Sequence, residues 1–136
     1  MPPAGLTKDA GWQVGVRRTF PIHLEDAWEL VTSEAGICAW LGDLPGFKPG
    51  ICTAYQLADG TQGKITIFKP GSHMRLTWFP PGYPRPSIVQ VRVIPGGEKT
   101  VIVFHQEHLP DAKAREARKV FFDQALADLS NLIAGK

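Results

Sequence analysis

An apolar stripe runs along the last predicted helix of this sequence. The helix begins after Leu109-Pro110 with Asp111 as its N-cap, and its apolar residues recur at helical spacing. These residues are Phe121, Phe122, Ala125, Leu126, Leu129, Leu132 and Ile133. So broad a face must be buried against another element, and only a sheet built from the preceding segments is large enough to cover it. We therefore predict one long helix packed on a sheet.

The segments before that helix have the patterns of β-strands. Strands are predicted at about 14–20, 51–58, 62–69, 73–79, 87–94 and 99–108. Turn signals separate several of them, among them Asp59-Gly60 and Pro70-Gly71. The residues from Thr100 to His105 are apolar on both faces, which predicts a strand that is central or covered on both faces. The stretch 79–86 holds four prolines, which cannot donate to a ladder, and is predicted to be a stiff loop.

Two short helices are expected between the first and second strands. The first is predicted at Leu24–Thr32, and the second runs from Ser33 or Glu34 to Leu41, with Ser33 as its N-cap. The predicted fold class is α+β, a curved antiparallel sheet of about six strands wrapped around the long C-terminal helix. Where the curvature exceeds what side chains can fill, an apolar cavity is expected between sheet and helix.

Length and composition restrict the class of protein. With 136 residues the chain is expected to form a single domain, in which the Pro/Gly-rich residues 1–12 are a loose arm. The net charge of +2 provides no basic stripe for nucleic acid. No apolar run approaches the roughly 18 residues of a membrane span, and no signal-peptide pattern is seen, so a cytoplasmic protein without membrane insertion is expected. Cys38 and Cys52 have no paired spacing and are predicted to be reduced packing residues.

The histidines do not predict a metal site. His105 and His108 are three apart on a predicted strand, so they point to opposite faces, and no cluster of other ligands accompanies them. Motifs for a phosphate-bearing cofactor are also missing, so we expect no cofactor. His105 and Glu107 share a strand face and could act as an acid–base pair, although an exposed strand-end pair is the favoured interpretation. Arg18 falls on the apolar face of its strand. The candidate polar groups of a pocket are therefore Arg18, because of this position, and His105, because of its pairing with Glu107. No catalytic residue is assigned.

Four basic residues lie early in the last helix. They are Lys113, Arg115, Arg118 and Lys119. Glu116 and Asp123 are interleaved with them, and both can pair with Lys119 at helical spacing. The favoured interpretation is a solvated helix face, with a docking surface for an acidic partner as the alternative.

The apolar residues expected around the cavity come from helices and strands alike. The predicted wall is Trp40, Met74, Leu76, Trp78, Val91, Phe104, Phe122, Leu126 and Leu129. Such residues also make an ordinary core, and a cavity wall is part of the core. As a wall, the aromatic side chains would offer flat apolar surface and indole donors to a planar or lipid-like ligand.

Several motifs, taken in order, resemble one superfamily. They are Ile22–Gly42 with Trp28 and Trp40, Met74–Trp78, Arg85–Ser87, Lys99–Val101 and Phe104–Pro110. Together they cover about residues 14–133 and resemble the START-like (SRPBCC, polyketide cyclase/Bet v-like) superfamily. Within it, the resemblance is to the domain named after the C-terminal part of the heat-shock-protein-ninety ATPase activator. Such proteins often carry Gly-Trp in the last helix, where this chain has Phe121-Phe122, a difference that would change the depth and shape of the pocket.

The resemblance implies a helix-grip fold enclosing a hydrophobic cavity, but it does not imply one function. Lipid carriers, aromatase/cyclases, hormone receptors and chaperone regulators all share that fold. We favour a non-enzymatic protein that binds a small hydrophobic or aromatic molecule. A chaperone-interaction protein resembling the ATPase activator is the first alternative, and a cyclase- or hydrolase-like enzyme is the second. The outward side of Val101–His105 would also suit the seam of a homodimer.

Overall fold

A computed structural model describes residues 6–7 and 11–135 of the chain, which form one antiparallel sheet and three helices. The strands are β1 Leu6–Thr7, β2 Gly11–Phe20, β3 Ala54–Gln56, β4 Gln62–Lys69, β5 His73–Trp78, β6 Ser87–Gly96 and β7 Lys99–Leu109. The helices are α1 Leu24–Thr32, α2 Glu34–Trp40 and α3 Ala112–Ala134. The strands lie in the order β1-β2-β7-β6-β5-β4-β3, and each is antiparallel to its neighbours.

The predicted α+β class, the two short helices and the long final helix are confirmed. Two segments at the sheet edges differ from the predictions. Of the expected loose arm, residues 1–5 and 8–10 lie outside the described residues, whereas Leu6–Thr7 pairs with Gly11–Trp12 as strand. The predicted strand at 51–58 is only Ala54–Gln56, because a turn closed by the Thr53 amide and the Gly50 carbonyl at 3.1 Å precedes it.

Local capping explains where the helices begin. The Ser33 hydroxyl accepts from the Gly36 amide at 3.0 Å and donates to the Leu30 carbonyl at 2.7 Å, so one side chain ends α1 and begins α2. A Cβ at position 36 would overlap the Leu30 carbonyl oxygen, and only glycine permits so tight a junction. The predicted N-cap Asp111 accepts from the Ala114 amide at 2.7 Å.

The core lies between the sheet and α3. Alternate residues of β6 and β7 are buried on the inner face, among them Val91, Ile102 and Phe104, and α3 buries Phe122 and Leu129 against them. Each large apolar side chain that is fully buried contributes about 1.5–3 kcal/mol to stability. β7 lies inside the sheet between β2 and β6, as its apolar sequence predicts.

The two cysteines lie at the surface of the fold. Cys38 and Cys52 are free thiols, but both are exposed, so the prediction that they are packing residues is wrong. Cys38 is on α2, between the buried Ile37 and the half-buried Ala39, where successive residues point in different directions around the helix. In the described part of the chain, no helix is long and apolar enough to span a bilayer.

Candidate ligand site around Arg118

The residues predicted to line a cavity come together in one cluster in the core. All nine are buried there, and three of them form an aromatic stack. The rings of Trp40 and Phe104 are 6.0 Å apart, and those of Phe104 and Phe122 are 5.3 Å apart. The Trp40 indole donates to the Val31 carbonyl at 2.8 Å, which occupies its only polar group. This part of the wall is thus engaged in packing α2 and α3 onto β7.

Of five pockets compared among the described residues, none is lined by a residue of the predicted wall. The cavity at the centre of the wall therefore stays a prediction. Buried polar and charged side chains lie at the other end of the cluster, where Trp78 meets the first half of α3.

Arg118 is the central residue of that region. It was expected on a solvated helix face, but its side chain is 7% exposed and lies inside the fold, so that prediction is wrong. Its neighbour Lys119 follows the prediction, because it is exposed and pairs with Asp123 at 2.9 Å. The reason is helical geometry: Arg118 stands four residues before Phe122 and so shares the buried face of α3.

A chain of hydrogen bonds connects Arg118 to three strands. Arg118 Nε donates to Gln106 Oε1 at 2.7 Å, and Gln106 Nε2 donates to the Ser87 hydroxyl at 2.8 Å. Ser87 in turn donates to the Trp78 carbonyl at 2.6 Å. Gln106 and Ser87 are fully buried, and the chain fixes α3 against β7, β6 and β5.

Aromatic rings enclose the guanidinium. Its carbon lies 3.9 Å from the centre of the Trp78 ring, 4.4 Å from that of Phe121 and 4.7 Å from that of Phe122. Tyr83 adds a fourth ring, because it packs edge-on against Trp78 at 5.7 Å. Cation–π attraction of this kind contributes about 2 kcal/mol or more per contact when the cation is desolvated.

The charge of Arg118 has no acidic partner among the described residues. Within the described residues, no carboxylate oxygen lies within 4.0 Å of it. Burial lowers the pKa of Arg118 to about 10, and the group is still a cation at neutral pH. Two buried donors in this cluster, Arg118 Nη2 and Trp78 Nε1, have no hydrogen-bond partner among the described residues.

The sheet is locally opened beside this cluster. At the point where Lys64 faces Thr77, the Tyr55 hydroxyl donates to the Thr77 carbonyl at 2.6 Å, in place of a strand amide. The Lys64 amide donates instead to the Thr77 hydroxyl at 2.9 Å. Beyond this point the chain pairs again at one isolated antiparallel bridge, between Gln62 and Phe79. The Tyr55 side chain thus lies between β4 and β5 and interrupts their hydrogen bonding. Burial raises the pKa of its phenol.

Two pockets approach the cluster from outside. The larger, of about 480 Å³, is lined by Tyr55, Gly63 and Thr77 at the opened ladder. The smaller, of about 200 Å³, is lined by Phe79, Tyr83 and the prolines between them. Burial raises the pKa of both tyrosines and the charge of Arg118 lowers it by less, so each pocket includes a phenol that feels the buried guanidinium.

Comparison with known proteins addresses the fold. No family model matches the sequence, and no curated protein matches it. Among solved structures, protein MLL2253 of Mesorhizobium loti is 22% identical, with 91% of this chain and 98% of that chain covered and a TM-score of 0.75. CalU16 of Micromonospora echinospora is 19% identical, with 90% and 74% covered and a TM-score of 0.75. PFC0360w, an HSP90 activator from Plasmodium falciparum, is 12% identical, with 90% and 96% covered and a TM-score of 0.72. The chain has the START-like helix-grip fold. Likeness at these identities shows the fold alone.

The polar groups predicted for the pocket are not in the interior of this helix-grip fold. Arg18 is exposed and lies over the Phe20 ring at 5.7 Å. His105 points away from the buried Phe104 and bonds Gln13 at 3.0 Å. Glu107, on the same outer side of β7, pairs with Arg75 at 2.9 Å. The acid–base pair considered for the enzyme alternative is therefore separated by the sheet from the apolar interior.

Sequence reasoning missed Arg118, Gln106 and Tyr55 as members of the site. A signal for Arg118 was present, since it continues the stripe of Phe122, Ala125 and Leu129 toward the start of α3. Gln106 had a weaker signal, because it follows Ile102 and Phe104 at a spacing of two on the inner face of β7. Tyr55 had no signal in the sequence, because its role depends on a hydrogen bond to the Thr77 carbonyl, twenty-two residues further along the chain.

Proposed function

We propose that the protein binds a small hydrophobic or aromatic molecule at a site bounded by Trp78 and the first half of α3. The Trp78 indole carries this proposal: it is buried on the inner face of β5, and its Nε1 hydrogen has no acceptor among the described residues. An indole provides a flat apolar face and one donor, and a planar molecule with one acceptor complements both.

The approach of the ligand is proposed to be past Tyr83. This half-buried side chain lies in the loop between β5 and β6, lines the 200 Å³ pocket on one side and packs against Trp78 on the other. A ligand ring that replaces the phenol on Trp78 would join the pocket to the aromatic cluster. Only one half-buried side chain has to move, and the hydrogen-bond chain from Arg118 to the Trp78 carbonyl is left intact.

The test is a titration with trans-cinnamamide, a planar neutral molecule, monitored by calorimetry, tryptophan emission and melting temperature. Binding should change the emission and raise the melting temperature. The Trp78→Phe variant should lose the emission change, whereas Trp28→Phe, which alters the indole on α1 that packs against Phe68, should keep it. Tyr83→Ala should bind more tightly, because the side chain that competes for Trp78 is removed. Absence of heat, emission change and thermal shift in the wild-type protein would contradict the proposal.

A second candidate function is interaction with a chaperone, and the likeness to the HSP90 activator PFC0360w favours it. It predicts that the chain co-purifies with an HSP90-type chaperone and changes its rate of ATP hydrolysis. An unchanged rate with excess chain, together with no co-purification, would remove this candidate. A cytoplasmic location, a single-domain organisation and a homodimer seam along the outward side of Val101–His105 also stay predictions.

A further inference from the structure

We propose that the molecule bound at this site is an aromatic carboxylic acid whose carboxylate accepts hydrogen bonds from Arg118. This inference rests on the proposed function and specifies the chemical class of the ligand. It is carried by the position of a cation inside an apolar enclosure, a position that costs stability unless an anion or a set of acceptors compensates it.

The hydrogen-bonding capacity of Arg118 is only partly used. A guanidinium has five N–H donors, and the Nε bond to Gln106 satisfies one of them. Nη2 is buried without an acceptor, and no carboxylate of the described residues lies within 4.0 Å of the side chain. Gln106 is neutral and cannot balance the charge. The Nε bond also fixes the orientation of the guanidinium plane, so Nη2 is held in place before any ligand arrives.

The neighbouring phenols do not supply the missing negative charge. Burial raises the pKa of Tyr55 and of Tyr83 above the ordinary value, so both are neutral at physiological pH. Burial lowers the pKa of Arg118 to about 10, which leaves it charged under the same conditions. The enclosure thus has a net positive charge that an acidic ligand would neutralise.

A second donor indicates the shape of the acid group. Trp78 Nε1 is also buried without a partner, and its indole is in direct contact with the guanidinium, whose carbon lies 3.9 Å from the ring centre. A carboxylate has two oxygens and can accept from two donors on adjacent side chains. The remaining surroundings are the rings of Phe121 and Phe122, which suit a flat apolar body. Acid group and planar ring together define an aromatic carboxylate.

The experiment compares trans-cinnamate with trans-cinnamamide, two molecules of nearly equal shape that differ in charge. By calorimetry the wild-type protein should bind the acid at least about tenfold more tightly than the amide, as expected for charge-assisted hydrogen bonds. Arg118→Met should remove this preference and bind both probes alike. Arg118→Lys, which keeps the charge but not the planar donors, should keep part of it. Lys119→Met, a matched loss of an exposed cation on the same helix, should keep all of it.

The outcomes separate this inference from the proposed function. If the wild-type protein binds both probes equally, the inference is overturned while ligand binding stands. If it binds neither probe, both are overturned. If the acid is preferred equally by the wild type and by Arg118→Met, another group holds the carboxylate and the assignment to Arg118 is wrong. Should Arg118→Met fail to fold, as judged by circular dichroism, Arg118→Lys provides the second test, because an undiminished preference for the acid in that variant would show that the planar donors of Arg118 do not hold the carboxylate.

Discussion

The Tyr55 hydroxyl lies over Gly63, at a position where a Cβ on Gly63 would be only 2.6 Å from it. The same Cβ would overlap the Thr77 carbonyl oxygen, which is the acceptor of the Tyr55 hydroxyl. The Tyr55 side chain can lie between β4 and β5 only because position 63 has no side chain. The interruption of the β4–β5 ladder therefore depends on Tyr55 and Gly63 together.

Gly63→Ala should lower the free energy of unfolding by about 1–3 kcal/mol, because the new methyl group must displace either the tyrosine or a strand. Urea unfolding followed by circular dichroism measures the change. Gly15→Ala is the matched control, since it is also a strand glycine and its Cβ would meet nothing closer than 3.5 Å. Equal midpoints for the two variants would show that Tyr55 is not held over Gly63.

The Tyr55 phenol should titrate only at strongly alkaline pH. Burial raises its pKa above 10.0 in the folded state, so its contribution to stability is fully present below pH 10 and is lost as the pH rises further. The chain has two tyrosines, and in Tyr83→Phe the tyrosinate absorbance reports Tyr55 alone. That absorbance should appear only with alkaline unfolding, followed by circular dichroism. Ionisation near pH 10 in a folded protein would contradict the buried position.

The Arg118–Gln106 bond should show strong coupling in a double-mutant cycle. Gln106→Leu removes the one acceptor that Arg118 Nε has among the described residues, and it should cost about 2 kcal/mol or more because a buried charge loses its partner. The double variant with Arg118→Met should cost less than the sum of the single changes, by about 0.5–3 kcal/mol. A control cycle of Gln106→Leu with Lys119→Met should be additive, since the two side chains share no partner. Additivity in both cycles would argue against the bond.

Asp111→Ala should destabilise the protein by about 1 kcal/mol, because the Ala114 amide at the start of α3 loses its side-chain acceptor. Asp123→Ala removes a carboxylate from the same helix but only breaks an exposed pair with Lys119, and it should leave stability nearly unchanged. Melting temperatures of the two variants check the difference. A larger effect at Asp123 than at Asp111 would reverse the assigned roles.

Much of the fold could be predicted because it depends on local patterns. Ser33 and Asp111 cap helices through hydrogen bonds to amides three residues away, which a sequence displays directly. The alternation of Val89, Val91 and Val93 determines which side of β6 faces the core. The length of β3 was overestimated, since the turn at Gly50–Thr53 is fixed by its own hydrogen bond and not by the apolar residues around it.

The site is where prediction from sequence was incomplete. The alternation and the helical stripe determined that Trp78, Phe104 and Phe122 would be inside, because hydrophobic burial follows from periodicity alone. Only the tertiary structure decided that Arg118 is enclosed with them while Arg18 stays in solvent. An arginine side chain is long enough to reach water from many backbone positions, so its burial depends on which residues pack against it. Opposite Arg118 are Gln106 and Trp78, which distant parts of the chain bring there.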